Sequence, residues 1–417
     1  GVKNRSEVYC GLDIQSDKIF AACGLFDNKK ERFMDISCQS GPARGIKNGK
    51  ISELGLLAES AAKVLNGFSG LSAGRIKSLY VSTRSSKLKA NQSLGVIPLS
   101  ERSSKIITSG DMAKANHQAY SLGLNIEERV LHQIIQGYII DKPSASPRGG
   151  QNKVLNPLGL YGQRLEVDTL LITDLVQDAD SLISAVERSG FKVKSLVLAG
   201  YAAGLAVLPD SSRIKGCCLF EIGFDSTQML IFKEGIIRGF EIIPFGAHDV
   251  TEAIARELKV PTETALVLKL SYGNIILGNV SPDDEVLLKK EQSYRPLKRK
   301  VLCEIIERKW KEFFALTKER LAMHQKDLDL SEGIVVSGRD VLLDGLLESF
   351  EANFALPARL AKMENLSIND LSYSACVGLL KYALFQRPPF SIFKLSSYGN
   401  IFQKITNKSR ELYQEYF

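Results

Sequence analysis

The sequence lacks any long run of charges of one sign. Its 54 basic and 47 acidic side chains are intermixed, and the formal net charge is +7 over 417 residues. Polyanion-binding proteins usually concentrate their excess positive charge on one stretch or face. We therefore expect no nucleic acid among the partners.

Cysteine and histidine are scarce and scattered. There are seven cysteines, which is an odd number, and four histidines, and no CxxC pair occurs. This pattern favours reduced thiols in a cytoplasmic chain, and it argues against a disulfide framework and against a zinc site. The cysteines are Cys10, Cys23, Cys38, Cys217, Cys218, Cys303 and Cys376.

Long hydrophobic runs are also missing. The longest strongly apolar stretch, Ser195 to Leu208, is interrupted by two glycines and is shorter than the roughly 20 residues that a spanning helix needs. The polar start GVKNRSEVY does not resemble a signal peptide. We therefore expect neither a membrane-spanning helix nor a secretion signal.

The composition instead predicts a large folded protein. With 44% hydrophobic and 24% charged residues, the chain can bury a sizeable core and should divide into two or more domains. Two β-rich segments resemble one another. VYCGLDI and IFAACGLF form a predicted hairpin with Asp13 at its bend, and GCCLFEIGF and TQMLIFKEG form a second with Glu221 at the same place. Because helical patterns join these segments, the sequence indicates an internally duplicated α/β protein.

A segment of different texture interrupts the first half from about Thr83. It is rich in Ser, Lys and Asn, and its pattern predicts a helix from Ser109 to Leu122 and a second helix starting at Ile126. The strands HQIIQGYII and EVDTLLIT complete it. We expect a compact α+β module inserted into the first half.

Several blocks, in one order along nearly the whole chain, resemble FtsA, the actin-like bacterial cell-division protein. They are YCGLDIQSDKI, GIKNGKISEL, ERVLHQIIQGYIIDK with NPLGLYGQRLEVDTLLIT, IPFGAHDVTEAIA with LVLKLSYG, EIIERKWKEF and SYSACVGLLKYAL. The resemblance implies a two-lobed actin-like α/β fold with duplicated β-rich halves and a small α+β domain inserted in the first lobe. The expected divisions are a first lobe (1–82 and 166–200), the insert (83–165), a second lobe (201–246 and 330–370), its subdomain (247–329), a returning helix (371–386), a linker (387–400) and a membrane-binding helix (401–417).

The resemblance also implies ATP and Mg between the lobes, self-assembly into filaments, binding of the FtsZ C-terminal tail and attachment to the cytoplasmic membrane. No catalytic residue and no metal ligand is assigned. The residues that match the family's cofactor-binding positions are Asp13, Lys18, Gly223, Ser226, Lys269, Gly338 and Arg339.

The nucleotide motifs depart from the family at several places. Glycines of both phosphate hairpins are replaced, by Gln15 in the first and by Phe224 and Asp225 in the second. Glycine matters there because a Cβ blocks close approach of the backbone to phosphate. The other departures are Leu266 for a ribose-binding glutamate, Arg339 and Asp340 for glycines of the adenosine loop, and Ala199 for the acid beside the attacking water. We predict weak or absent ATP hydrolysis and expect a binding protein rather than an enzyme.

Two other interpretations of the cleft stay open. The alignment with the family can slip by one residue at a loop, although a slip cannot restore the missing glycines. Alternatively, Arg339 can replace backbone donors with its charged fork and bind phosphate in a different way.

A basic stretch lies in the region that resembles the FtsZ-binding subdomain. Its positive charge would steer an acidic peptide, and the only tryptophan of the chain lies close by. The alternative is a solvated charged helix face. The candidate partner-binding residues are Arg295, Lys298, Arg299 and Trp310.

The C-terminal segment has the pattern of an amphipathic helix that binds a membrane surface containing anionic lipid. The alternative is a terminal helix that packs back on the protein. The candidate membrane-binding residues are Ile401, Phe402, Ile405, Leu412, Tyr413 and Tyr416.

Together these features predict an FtsA-type adaptor on the inner face of the cell membrane at the division site, where it forms filaments and tethers FtsZ or other division proteins. One alternative is an active ATPase of the same fold. The other is a soluble peptide-binding actin homologue that resembles PilM of type IV pili, which would need no C-terminal membrane helix.

Overall fold

The computed structural model describes residues 7–68, 76, 78–141, 153–363, 366 and 368–386. The predicted linker (387–400) and the six candidate membrane-binding residues lie outside the described residues. Within the described part, no helix is long and apolar enough to span a membrane.

Strands and helices alternate along the chain. The strands are β1 (Glu7–Ile14), β2 (Lys18–Asp27), β3 (Arg32–Pro42), β4 (Ile46–Lys47), β5 (Lys50–Ile51), β6 (Ser78–Thr83), β7 (Lys89–Pro98), β8 (Lys105–Ile106), β9 (Glu128–Ile140), β10 (Tyr161–Gly162), β11 (Arg164–Leu175), β12 (Lys192–Leu198), β13 (Cys217–Ile222), β14 (Thr227–Lys233), β15 (Ile236–Ile243), β16 (Glu285–Lys290), β17 (Ser293–Lys298), β18 (Ile334–Gly338) and β19 (Ala358–Leu360). The helices are α1 (Leu54–Leu65), α2 (Ser109–Leu122), α3 (Val176–Arg188), α4 (Ala199–Val207), α5 (Asp210–Lys215), α6 (Ala247–Leu258), α7 (Thr262–Tyr272), α8 (Arg299–Gln325), α9 (Leu346–Phe354) and α10 (Ser374–Phe385).

The two lobes contain sheets of the same topology. The first-lobe sheet has the order β12-β6-β1-β2-β3, and the second-lobe sheet has the order β15-β14-β13-β18-β19. In each, three consecutive antiparallel strands are followed by two parallel strands, of which the earlier pairs with the first strand of the three and the later pairs with the earlier. The predicted duplication is therefore confirmed. The β1–β2 and β13–β14 hairpins, which were expected to carry the site, occupy equivalent positions in the two sheets.

The inserted module is built on a three-stranded sheet of order β7-β11-β9, with α2 packed on it. Helix α2 begins with a capping box between Thr108 and Asp111, which satisfies backbone N–H groups of its first turn. The helix expected from Ile126 is wrong, because β9 begins at Glu128 and pairs with β11 along its length. Ile126 itself is 97% exposed, so it did not mark the buried face of a helix.

The second lobe is held together by an aromatic core. Phe220 of β13 is buried and packs against Phe313 of α8 and Phe350 of α9, with ring centroids 5.9 and 5.1 Å apart. Burial of such rings contributes roughly 2 to 3 kcal/mol each. This core fixes the hairpin of β13 and β14 relative to the long helix α8.

Helix α10 returns to the first lobe and packs against β1, β6 and α4. Its approach to α4 depends on Gly378, since a Cβ at this position would lie 1.7 Å from the carbonyl oxygen of Ala202. Only glycine permits such close contact between the two helices. At its first residue, the Ser374 hydroxyl donates to Glu221 at 3.0 Å.

One expectation about cysteine is corrected. Cys10 and Cys23 form a disulfide, whereas the spacing of the cysteines favoured reduced thiols throughout. The two residues are opposite one another in the β1–β2 register, with Cα atoms 4.3 Å apart. The hairpin register, which composition does not report, brings them together. Free cysteines among the described residues are Cys38, Cys217, Cys218, Cys303 and Cys376.

Candidate functional site

The candidate site lies in the cleft between the lobes, where the β1–β2 and β13–β14 hairpins approach one another. Asp13 is the penultimate residue of β1, and Glu221 is the penultimate residue of β13. Both side chains are buried, with exposed fractions of 0% and 1%. Two carboxylates at equivalent positions of the repeat therefore face one buried region, and two buried acids need a cation or a proton.

The cation is Arg84, the residue that directly follows β6. Its Nε donates to Asp13 Oδ1 at 2.9 Å, and its Nη2 donates to Asp13 Oδ2 at 3.1 Å and to Glu221 Oε1 at 3.3 Å. The guanidinium is thus held by the first-lobe acid and also reaches the acid of the second lobe. Sequence reasoning did not identify Arg84 as a site residue.

The two acids respond differently to this environment. Burial raises the pKa of Asp13, but Arg84, with hydrogen bonds from Ser82 and Gln15, more than offsets this and holds the pKa below its usual value. Burial also raises the pKa of Glu221, to about 7, because Arg84 only partly offsets it and the charge of Asp13 adds to the rise. A single guanidinium therefore neutralises Asp13, and the protonation of Glu221 changes near neutral pH.

Further contacts join the two hairpins directly. The side chain of Gln15 accepts a hydrogen bond from the Phe224 amide at 2.9 Å and donates to Asp13 at 3.0 Å. Asp225 accepts a hydrogen bond from the Ser16 hydroxyl. These hydrogen bonds join the β1–β2 hairpin to the β13–β14 hairpin across the cleft.

Arg339 makes a second charged contact across the cleft. Its Nη1 and Nη2 donate to the two carboxylate oxygens of Asp17 at 2.9 and 2.7 Å. Its guanidinium carbon lies 5.0 Å from the ring centroid of Phe20 and 5.5 Å from that of Phe224. Asp17 already engages both terminal nitrogens of Arg339. The guanidinium would have to leave this bidentate pair before it could bind phosphate in the way suggested above.

Lys269 and Gly338, two further residues that were expected to bind cofactor, make close contacts within the second lobe. Lys269 is 3% exposed, and its Nζ donates to Asp340 at 2.7 Å and to the Ala247 carbonyl at 2.9 Å. Burial lowers the pKa of Lys269, which Asp340 partly offsets. Gly338 has φ +107°, and a Cβ there would lie 2.1 Å from the Ile222 carbonyl oxygen. Both residues therefore stabilise the loop after β18.

The remaining expected cofactor residues are Lys18, Gly223 and Ser226. Lys18 is exposed at the start of β2. The Gly223 amide donates to the Ser226 carbonyl at 2.8 Å, within the second hairpin. A Cβ at Gly223 would lie 2.9 Å from Nη1 of Arg84, so the guanidinium packs directly against this glycine. The structure therefore places Gly223 beside Arg84 in the cleft, while Lys18 lies exposed on the first hairpin.

These contacts do not fit magnesium and a triphosphate in the family's manner. Arg84 lies between the two acids, and the amide and carboxylate groups of the hairpins are joined to each other. Within the described ranges, no group of three or more His, Cys, Asp and Glu residues could hold a metal ion. We therefore derive no chemistry through ATP or Mg at this position.

A cavity of about 360 Å³ opens beside the hairpins. Its walls include Ser16, Arg84 and Ser226, together with the acidic Asp178 and Asp225. Carboxylates in a partly desolvated cavity repel phosphate. Lys50 and Arg84 also line the cavity, so its walls combine two cationic and two acidic side chains.

The candidate partner-binding residues do not all lie on the surface. Arg295 and Lys298 are exposed on β17, and Arg299 begins α8, where its Nε donates to the Tyr272 carbonyl at 2.8 Å. Trp310 is only 3% exposed and packs against Phe245, with ring centroids 5.2 Å apart. The idea that Trp310 anchors a peptide is corrected, because its ring belongs to the core of the second lobe.

The fold and the cleft define a class, that of actin-fold proteins with two duplicated lobes. Among solved structures, the chain resembles the PilM–PilN type IV pilus biogenesis complex, with TM-score 0.61, 13% identity, and coverage of 90% of this chain and 98% of that chain. It also resembles MreB5 of Spiroplasma citri bound to ADP, with TM-score 0.52, 10% identity, and coverage of 91% and 98%. At these identities the likeness shows the fold.

Sequence comparison then identifies the family. Residues 218–378 match the model of cell division protein FtsA, and residues 85–173 match the model of the SHS2 domain inserted in FtsA. Cell division protein FtsA of Pseudomonas aeruginosa is 28% identical over 383 residues, which cover 90% of this chain and 88% of that protein. The Escherichia coli FtsA is 29% identical over 389 residues, which cover 89% of each. The chain belongs to the FtsA family of cell-division proteins.

Proposed function

We propose that the protein is a cell-division adaptor that forms actin-like filaments and tethers FtsZ or other division proteins to the cytoplasmic membrane, with weak or absent ATP hydrolysis. The proposal of weak or absent ATP hydrolysis rests on the position of Arg84 between Asp13 and Glu221. An arginine in this place supplies positive charge without a metal ion. Membership of the FtsA family supports the role in division.

The proposed absence of hydrolysis has a second basis, at the position of the attacking water. Ala199, which aligns with the family's acid, is 0% exposed and carries no group that can accept a proton. A general base must lie within hydrogen-bond reach of the proton that it removes. The active-ATPase alternative predicts nucleotide-dependent phosphate release that Asp13→Ala abolishes.

The proposed contact with FtsZ is the β16–β17 hairpin and the start of α8. Arg295, Lys298 and Arg299 add positive charge to this edge, while Glu285 and Asp284 partly neutralise it, at 3.2 Å from Lys298 and 3.5 Å from Arg299. Such charges steer an acidic peptide more than they hold it. The peptide must then find its apolar contacts elsewhere than at Trp310.

The proposed membrane contact is the segment from Ile401 to Tyr416. One short amphipathic helix binds anionic lipid weakly, because each partly buried apolar side chain contributes roughly 1 kcal/mol against the entropy of folding a short helix. Filament formation would join many such segments and raise the effective concentration at the membrane. This is why self-assembly and tethering are proposed together.

A reconstitution with the full chain tests the proposal. Vesicles containing phosphatidylglycerol are mixed with FtsZ and the purified protein and then sedimented, with and without Mg-ATP. We expect FtsZ to pellet with the vesicles only when the protein is present, in equal amounts under both nucleotide conditions. FtsZ left in the supernatant would contradict tethering, and a protein that binds a peptide but no vesicle would support the alternative that resembles PilM.

A further inference from the structure

The two lobes repeat a short motif at their parallel strands. Strand β6 ends in Val81-Ser82-Thr83 and is followed by Arg84, while β18 ends in Val336-Ser337-Gly338 and is followed by Arg339. Ser82 pairs in register with Asp13, and Ser337 pairs in register with Glu221. Arg84 and Arg339 are therefore equivalent residues of the internal duplication, one from each lobe.

Each of these arginines crosses to the other lobe. Arg84, from the first lobe, reaches Glu221 of the second lobe at 3.3 Å. Arg339, from the second lobe, forms its bidentate pair with Asp17 of the first lobe. The two crossings run in opposite directions, so separating the lobes would break both.

Neutral hydrogen bonds accompany the ion pairs. The Phe224 amide of the second lobe donates to Gln15 of the first at 2.9 Å. Gln228 of β14 donates to the Thr83 carbonyl at 3.1 Å, immediately before Arg84. The cleft is therefore joined along both hairpins, and the buried part of this network excludes the water that would weaken it.

We propose that Arg84 and Arg339 form an interlobe clamp that keeps the protein closed without nucleotide or metal. In this arrangement the duplicated arginines bring to the cleft the positive charge that a bound cation would supply. The carboxylates of Asp13, Glu221 and Asp17 are the ion-pair partners of the two arginines. The clamp goes beyond the proposed function, because it concerns the conformational state of the chain and not its partner. Closure is then a permanent property of the fold rather than a response to ATP.

Hydrogen exchange of the full-length chain tests the clamp. The Phe224 amide crosses the cleft, so a peptide spanning residues 222–227 reports closure. Arg339→Ala and Asp17→Asn should each speed exchange in this peptide by about tenfold or more, since opening becomes easier. Both changes act at the rim, where the side chains are 11% and 25% exposed, so the lobes themselves should stay folded.

The matched control removes an ion pair that lies within one lobe. Arg308 of α8 pairs with Glu257 of α6, and Arg308→Ala should leave exchange at residues 222–227 unchanged. Exchange in the wild-type protein should also be the same with and without Mg-ATP. Unchanged exchange in both rim variants, or slower exchange when Mg-ATP is added to the wild type, would overturn the clamp.

A coupling measurement gives an independent test. If Arg339 and Asp17 act on each other, the double variant Arg339→Ala with Asp17→Asn should exchange no faster than the faster single variant. If the increase in exchange rate in the double variant equals the product of the two single increases, the two residues act independently. That result would overturn the bidentate pair as a part of the clamp. Neither experiment uses FtsZ or vesicles, so its failure is distinct from failure of the proposed function.

Discussion

Asp13 and Glu221 occupy equivalent positions in the two lobes, yet their pKa values move in opposite directions. Arg84 makes two hydrogen bonds to Asp13 and one longer hydrogen bond to Glu221. The pKa of Asp13 therefore falls, while that of Glu221 rises to about 7 through burial. The internal duplication placed two acids in one cleft. Arg84, which belongs to the first lobe, interacts more strongly with Asp13 of the same lobe than with Glu221 of the second lobe.

The pH dependence of stability should reveal Glu221. Its pKa rises on folding from 4.5 to about 7, so its stabilising contribution is fully present below pH 4.5 and is lost as the pH rises through 7. Glu221→Gln removes this dependence. Between pH 4.5 and 8, the wild type should lose roughly 3 kcal/mol of unfolding free energy relative to the variant, as measured by urea denaturation.

Glu59→Gln is the control for this comparison, because Glu59 is an exposed residue of α1. It should parallel the wild type at every pH. Parallel curves for wild type and Glu221→Gln would show that Glu221 titrates at its ordinary pKa.

Removal of the central cation should destabilise the protein strongly. Arg84→Ala leaves the buried carboxylates of Asp13 and Glu221 without their shared partner, which costs about 3 to 5 kcal/mol. Arg84→Lys should cost less, because one ammonium keeps the charge but cannot reproduce the fork of hydrogen bonds. Chemical denaturation measures both, and a loss below about 1 kcal/mol for Arg84→Ala would contradict the described geometry.

Trp310 should affect stability and not peptide recognition. Trp310→Ala removes a buried ring from the core and should cost about 3 to 5 kcal/mol of unfolding free energy. At a temperature where the variant is folded, its affinity for an FtsZ-tail peptide should match that of the wild type by fluorescence anisotropy.

The charged residues of the same region should affect peptide binding and not stability. Changing Arg295, Lys298 and Arg299 together to serine should weaken peptide binding and reduce its salt dependence, with little change in stability. Equal affinity for the triple variant and the wild type would place the FtsZ contact on another surface.

The C-terminal segment should control membrane binding. Truncation after Tyr398, or Phe402→Glu, should release the protein from vesicles that contain anionic lipid, because both remove apolar contact with the acyl region. Added salt should weaken wild-type binding only moderately, since acidic residues of the segment offset its basic ones. A truncated chain that sediments with vesicles as fully as the wild type would locate the membrane contact elsewhere.

Much of the fold could be predicted because its signals are local. Apolar, β-prone runs marked both hairpins, and the polar residues between two of these runs placed Asp13 at the bend of the first. The helix expected from Ile126 is wrong because Glu127 and Glu128 resemble the acidic first turn of a helix, whereas pairing with β11 makes β9 a strand. Tertiary pairing overrode the local preference.

The cleft could be predicted only in part, because its contacts join distant residues. Arg84 lies 71 positions from Asp13 and 137 from Glu221, so neither charge pattern nor spacing connects them. One signal was available, since Val-Ser-x-Arg occurs at both Arg84 and Arg339. Comparison of the two predicted repeats would have singled out both arginines, although not the acids that they bind.

The packing of α10 has a mechanical consequence. This helix ends one residue before the segment that leads to the proposed membrane contact, and Gly378 seats it tightly on α4. Its first residue, Ser374, donates to Glu221 in the cleft. A displacement of α10 would therefore disturb both its packing on α4 and the hydrogen bond to the carboxylate that Arg84 shares.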